Sequence, residues 1–557
     1  MSPRFQSRGS ERRARPRTDS RLRETLNTSL EERPAGPQVA RHKRRARLWL
    51  LVIAAGVVAY SSAFIYRSSI VVEGRRCFCL FDDATISMRY AYHWAAGHGP
   101  VWNVGERVEG YTNFLWTAAM ALAHLPRLGP SATCLLMQIV GLAVLLGCLA
   151  AAGRLARVCG LAPGASVIAT LLVAGQYNLV FFALMGMETA PLALVVALGQ
   201  AECVRAIRSG AGSWRAALWF IPAALMRIDA LLVAGVCLGV VFWFAQRGRA
   251  RLLGGVALIA ATVAAHALWR KSYYGEWLPN TYYLKATGWP LADRLAPGAE
   301  QALLTLVTFA APLALALVAL LRPRREDWAL LAPFAALLAY QTYVGGDARP
   351  MSRFVLPAGI GLCVLAARGV SALARMGPAP PRRSAARLAL AAVGLLLMNV
   401  VNWDHSLLLQ APQTTQANRM SLRLMRAVEQ VADADATAAV TWAGAFPYFQ
   451  PQRRCFDILG RCDAHIAHRP AVRGNNRAGH NKYDYAYTLA EHKPDLILQS
   501  FALNEPLFLR DYRPVVAQVD GHDMALFVRR DSPHIHGGQP IDARRVQELI
   551  RAQLRYE

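Results

Sequence analysis

The chain has 557 residues, 54% of them hydrophobic, with only 18% charged and a net charge of +26. A soluble enzyme of this length would carry more charge, so the composition excludes that class and points to a polytopic membrane protein. The basic excess does not argue for nucleic acid: residues 1–48 hold 14 Lys/Arg against 5 Asp/Glu, and many other Arg residues fall in short loops between apolar runs, the positive-inside distribution.

In chain order, residues 1–47 read as a disordered, basic cytosolic tail suited to lean on anionic lipid. The tail is too long and too basic for a cleaved leader. The apolar run at about 48–66 is therefore expected to stay as the first span. Residues 67–130 follow outside, and "NFLWTAAMALAHL" within them is short enough to suit an interfacial helix. Further spans are expected at about 131–153, 164–184, 190–206, 214–226, 230–246, 252–270, 301–321, 327–343, 354–374 and 386–403, about eleven in all. With the Arg clusters inside, the N-terminus is cytoplasmic and the chain from 404 lies outside. Residues 404–557 change character. Period-two segments such as "ATAAVTWAG", "DLILQSF" and "MALFVRR" alternate with helical stretches such as "SLRLMRAVEQVAD". They predict a small soluble, extracytoplasmic α/β domain. Its Cys455 and Cys462 are a candidate disulfide if that side is oxidising, and no cysteine spacing fits a zinc site.

This threading gathers the unusual polar residues on the outer side. Asp82 and Asp83 stand side by side in the first outer loop with Glu106, Glu109 and His98. Glu188, then Arg227 with Asp229, then Asp347 with Arg353 mark three further outer turns, and "YYGEWLPNTYYLKATG" brings Tyr283 and Lys285. Ionisable residues at span ends are costly and line cavities. Singly, Glu188 has the bland reading of a helix cap, Arg227–Asp229 of a structural pair and Asp347 of turn chemistry after two glycines. Adjacent carboxylates repel, and one would suffice as a cap, so the Asp82–Asp83 pair is the least easily explained by structure alone. His93 and His98 fit a tied-down loop better than a metal site. No spacing demands a metal; the one set read as able to hold a divalent cation is Asp82, Asp83 and Glu188. Several outer aromatics suit an interfacial belt, and some suit stacking on sugar faces.

The stretch "FDDATISMRYAYHWAAGHGPVWNVGERVEGYTNFLW" closely resembles the first outer loop of the membrane arabinofuranosyltransferases of the GT-C superfamily, typified by the mycobacterial terminal β-(1→2)-arabinofuranosyltransferases. The resemblance continues through "GMETA", "RIDALL", "YYGEWLPNTYYLKATG", "GGDARPMSRFVLP", "FDILGRCDAHIAH" and "GHNKYDYAYTLAEHKPDLIL". It implies an enzyme of the bacterial plasma membrane that moves an arabinofuranosyl residue from a polyprenyl-phosphate donor to an extracytoplasmic glycan or glycoconjugate. It also implies an essential carboxylate on the first outer loop, at Asp83 or Asp82. Arg353, Lys285 and Arg227 are the candidate cations for the leaving phosphate, and Glu188, Asp229, Tyr283, Asp347, Glu109 and His98 complete the substrate-binding set. The alternatives are transfer of another polyprenyl-phosphate sugar to lipid, glycan or protein by the same architecture, or transport of a lipid-linked sugar without chemistry.

Overall fold

The structure, a computed structural model, describes residues 37–347, 351–376, 380–472, 479–498 and 506–554. By internal contacts the chain divides into two units, Met1–Trp49 and Leu50–Glu557. Of the tail expected to be disordered, residues 1–36 lie outside the described residues. Residues 37–47 are not disordered: they open helix α1 (Pro37–Ser68). Proline is pre-organised for a first helical turn, and the Arg/Lys/Ala run after it propagates one well. All that follows concerns the second unit.

A short hairpin of β1 (Ile70–Val72) and β2 (Arg75–Cys77) leads to α2 (Asp82–Ala95) and α3 (Phe114–His124). The helical body then runs through α4 (Pro130–Val158), α5 (Pro163–Ala174), α6 (Tyr177–Leu184), α7 (Thr189–Ser209), α8 (Phe220–Met226), α9 (Ala230–Phe244) and α10 (Arg249–Tyr274). It continues with α11 (Asn280–Ala286), α12 (Leu291–Thr308), α13 (Ala310–Leu320), α14 (Asp327–Tyr343), α15 (Gly359–Met376) and α16 (Pro380–Met398). Five helical stretches among the described residues are long and apolar enough to cross a membrane, or seven if the bent pairs α5–α6 (58°) and α12–α13 (71°) each count once. The chain is a multi-pass membrane protein, and among the described residues five to seven of the eleven expected spans reach that length and apolarity. The reasons are local. The expected span at 164–184 breaks at Gly175–Gln176, and those at 214–226 and 230–246 are helices of fewer than 18 residues. A bilayer asks for about 20 residues per straight span.

The body packs around one large core, in which Phe64, Leu145, Phe181, Val196, Phe334 and Leu362 are buried. From residue 404 the chain builds a six-stranded mixed sheet in the order β4-β3-β5-β7-β6-β8: β3 (Ala438–Val440), β4 (Cys455–Asp457), β5 (Leu496–Leu498), β6 (Tyr512–Val519), β7 (His522–Arg529) and β8 (Gln539–Pro540). β3 pairs parallel with β4 and β5, and β7 joins β5 antiparallel. Alternation splits each strand between two cores. Val440, Leu498 and Leu526 face one, while Ala439, Ile497 and Phe527 face the other. The first of these cores is shared. Ile86 and Tyr90 of α2, Trp102, Tyr111 and Tyr274 of α10 pack in it with Leu424 and Val428 of α17 (Thr415–Val431). The boundary expected at 404 is therefore no seam, and the sheet belongs to the same compact unit as the helices. Cys455 and Cys462 are both free and buried. Cys455 sits on a strand beside Asn103, and the Cys462 sulfur lies against Gly110, so the expected disulfide is absent.

Candidate active site

Two carboxylates that the sequence leaves equivalent are separated by the start of α2. Its N-cap is Phe81, so neither aspartate caps the helix. Asp82 turns toward the sheet layer: one carboxylate oxygen accepts from the Ala445 N–H at 2.9 Å, and its other oxygen is buried without a partner among the described residues. Gly444 is required there, since a Cβ would lie 2.1 Å from the Asp82 carbonyl. Burial pushes the Asp82 carboxyl up to about 6, against the lowering effect of the Ala445 bond and Arg461.

Asp83, one residue on, faces a cavity of about 260 Å³ and accepts from Arg353 Nη1 at 2.8 Å. Its side chain is 37% exposed. Burial opposes its charge, but Arg353, Arg461 and Lys285 outweigh that and hold the carboxyl well below the usual range.

The rest of the cavity is assembled from helix ends. Glu188, preceding α7, and Asp229, preceding α9, are both N-cap residues whose side chains do not cap. Both turn to Arg227 instead, which reaches Glu188 at 2.9 Å and grips Asp229 through two nitrogens at 2.7 and 3.0 Å. Glu188 also accepts from Asn113 at 3.1 Å, and Asn113 is fixed by Ser87 at 3.0 Å. Arg353 is shared between Asp83 and Asp347, the latter at 3.0 Å. The guanidinium groups of Arg227 and Arg353 both lie over the Phe354 ring, at 5.1 and 5.7 Å from its centre. Lys285 of α11 completes the wall. Burial and the neighbouring Arg353 lower its pKa.

Asp83, Glu188, Arg227, Asp229, Lys285 and Arg353 thus line one cavity, with Asp347 directly behind Arg353. Four expected residues are elsewhere. Asp82 faces the sheet layer. Glu109 is buried outside the cavity lining in an ion pair with Arg270, and burial pushes it up to about 7. Tyr283 points away, donating to Glu276 and stacking on His468 at 4.3 Å, and its neighbour Tyr282 lines the cavity in its place. His98 is exposed; its ring meets the edge of His93 and its backbone N–H donates to the His93 carbonyl at 3.0 Å, while the His93 ring contacts the Val101 and Pro451 carbonyls. The cation set read from Asp82, Asp83 and Glu188 is not assembled, because one of the three is turned away and the other two are committed to arginines. No three His, Cys, Asp or Glu side chains among the described residues are placed to hold a metal.

Two charged cavity residues escaped sequence reasoning: Arg294 of α12 and Arg461 of the sheet layer, both 7% exposed. Arg461 sits in a turn closed by Asp457, which accepts from the Leu459 and Cys462 N–H groups at 3.0 and 2.8 Å. Gly460, at φ +75°, supplies its left-handed corner. The turn is readable in "DILGRC"; its docking onto α11 is a long-range event that no local pattern carries. In all, five cations and three carboxylates line the cavity.

Helical spans meeting a sheet layer in this way recur in a solved structure. The solved structure of ArnT from Cupriavidus metallidurans in the apo state matches with a TM-score of 0.53 at 12% identity, covering 87% of this chain and 98% of that one. Archaeal oligosaccharyltransferase AglB from Archaeoglobus fulgidus, solved with an inhibitory peptide and a dolichol-phosphate, matches more loosely: TM-score 0.47, 11% identity, covering 90% and 77%. In sequence, the chain is 28% identical over 243 residues to the terminal β-(1→2)-arabinofuranosyltransferase of Corynebacterium glutamicum. That match covers 38% of this chain and 35% of the relative, about a third of its length. The profile of a family described as a domain of unknown function (DUF8728) matches residues 409–536. The chain resembles ArnT in fold and, over 38% of its length, an arabinofuranosyltransferase in sequence.

Proposed function

We propose that this protein transfers an arabinofuranosyl residue from a polyprenyl-phosphate donor to the hydroxyl of an extracytoplasmic glycan or glycoconjugate. The observation that carries the reading is Asp83, exposed to a cavity in which cations outnumber carboxylates. An acceptor hydroxyl is a poor nucleophile until its proton is removed, and Asp83 is the carboxylate placed to take it. As the acceptor oxygen bonds to the sugar C1, the C1–O bond to phosphate breaks. Its electron pair leaves on polyprenyl phosphate, and the proton passes to Asp83. Charge growing on the departing phosphate is met by Arg353 and Lys285, arginine being suited to bidentate contact with phosphate oxygens. Arg227 is held by two carboxylates, Glu188 and Asp229, and keeps them in place at the cavity. The curated relative's named activity supports the choice of sugar.

The test mixes purified protein with polyprenyl-phosphoryl arabinofuranose and a panel of acceptor glycans, and identifies the product. Asp83→Asn is expected to lose roughly 10²–10⁴ in kcat, the range for a positioned base. Asp82→Asn keeps an oxygen for the Ala445 N–H and is expected to retain transfer within a few fold. No glycosidic product from any acceptor, or an Asp83→Asn enzyme as fast as wild type, would reject the reading.

A further inference from the structure

Lys285, Arg461 and Arg294 line the cavity, and none has a carboxylate within salt-bridge distance among the described residues. Arg353 spends its charge on Asp83 and Asp347, and Arg227 on Glu188 and Asp229. Arg461 differs from the rest in its origin, because it is carried by the sheet layer rather than by a helix of the membrane body. It is 7% exposed, one of its terminal nitrogens donates toward His480 Nε2 at 2.7 Å, and the other, Nη1, is buried without a partner among the described residues. Its guanidinium lies 5.6 Å over the centre of the Trp442 ring. A buried guanidinium nitrogen with no acceptor is costly, and so is a lysine sharing its cavity. An anion placed between them relieves both costs at once.

The attachment of this residue is as specific as its exposure. The Asn280 side-chain amide, at the start of α11, donates to the carbonyls of Gly460, Arg461 and Asp463 at 2.9, 2.9 and 3.1 Å. In the middle of α11, the Tyr283 carbonyl accepts from Lys482 at 2.8 Å, and the same amine donates to the carbonyl of Ala467, five residues beyond the turn, at 2.7 Å. The helix bearing Lys285 is thus held directly to the turn bearing Arg461 through Asn280, and to the segment just after that turn through Lys482, and both cations line the same cavity.

The geometry points to Arg461 as a phosphate-contacting residue of the cavity, acting with Lys285 as a two-pronged clamp, so that the sheet layer supplies part of the donor site rather than only covering it. This rests on the transfer reading for the identity of the phosphate as lipid-linked, but the anion site itself does not. The shared chemistry is a phosphate group, whose source is either a polyprenyl phosphate or free phosphate.

The test uses the full chain in lipid nanodiscs and measures binding of polyprenyl phosphate and, separately, of inorganic phosphate, by the quenching of tryptophan fluorescence and by thermal shift. Wild type is expected to bind polyprenyl phosphate. Arg461→Met is expected to weaken it roughly ten- to hundredfold, the loss for a charge-assisted hydrogen bond. Arg461→Lys should recover part of that loss, and acceptor KM should stay within about twofold of wild type. Should Arg461→Met fail to fold, Arg461→Lys and Asn280→Asp, each judged by an unshifted melting temperature, carry the same comparison of donor affinity against acceptor KM. Unchanged polyprenyl phosphate affinity in the folded variants would overturn the assignment, as would an equal loss for donor and acceptor. Arg461-dependent binding of inorganic phosphate alone would leave the anion site and remove its lipid. Arg461-dependent lipid phosphate binding without sugar transfer would sink the transfer reading and leave this one intact.

Discussion

Asp83 poses a problem of base strength. A general base works best with a pKa near the working pH, yet Arg353, Arg461 and Lys285 hold this carboxyl low. The same three cations are the ones that a donor phosphate would occupy. Once the phosphate draws on their charge, Asp83 loses the field that depresses it and becomes a stronger base, so the donor arms the site for the acceptor. The sign is definite. The working form is the ionised one, so activity falls as pH drops through the Asp83 pKa, and anion binding moves that fall to higher pH. The acid limb of kcat, which reports the loaded enzyme, is expected at higher pH than the acid limb of kcat/KM for the donor, which reports the free one. A sugar phosphodiester does not itself titrate in this range. Arg353→Gln should raise the free-enzyme limb as well. Superimposable limbs in the wild type would refute the coupling.

At the scale of elements, the body depends on close backbone approach between helices, since lipid offers no hydrophobic gain for their association. Gly369 of α15 is the tightest such point: a Cβ there would lie 1.7 Å from the Leu315 carbonyl of α13. α13 is the second half of the pair bent by 71°, and α12, the first half, carries Arg294 to the cavity. Gly369→Leu is therefore expected to lower the melting temperature of the solubilised protein by several degrees and to cut transfer. By contrast, Gly56→Leu on α1, where no atom lies within 4 Å of the new Cβ, should change neither. Equal behaviour of the two variants would show that this packing is not limiting. The strands were legible beforehand because period-two alternation in "DLILQSF" and "MALFVRR" is a local signal, and the sheet uses it on both faces. The helix bends were not, because a break at Gly175–Gln176 or Phe309 interrupts an apolar run without changing its composition. Among single residues, Asp83, Glu188, Arg227, Asp229 and Arg353 announced themselves as charges in apolar context. Arg461 did not, because one more arginine in a polar segment has nothing local to distinguish it.

For the molecule as a whole, the decisive feature is the core shared by α2, the loop after it and the sheet layer. Tyr90, Trp102 and Tyr111 are buried against residues more than 300 positions away in the chain, among them Val440 and Phe446. Arg89 is wholly enclosed and donates to the Trp102, Pro447 and Arg453 carbonyls and to Asn103, so it ties α2, the following loop and the sheet layer together. A layer joined in this way has no apolar face of its own to close if it is detached, and the loop bearing Asp83 has no other cover. Independent domains melt separately, whereas segments that complete one another's core melt together. Thermal unfolding of the full chain in detergent, followed by tryptophan fluorescence and by protease cleavage within 409–536, is thus expected to give one transition with coincident midpoints. A chain ending before residue 409 should expose that core and aggregate. Two well-separated transitions, or a soluble, folded truncation that still binds donor, would mean that the sheet layer is a free-standing cap and that the cavity is complete without it.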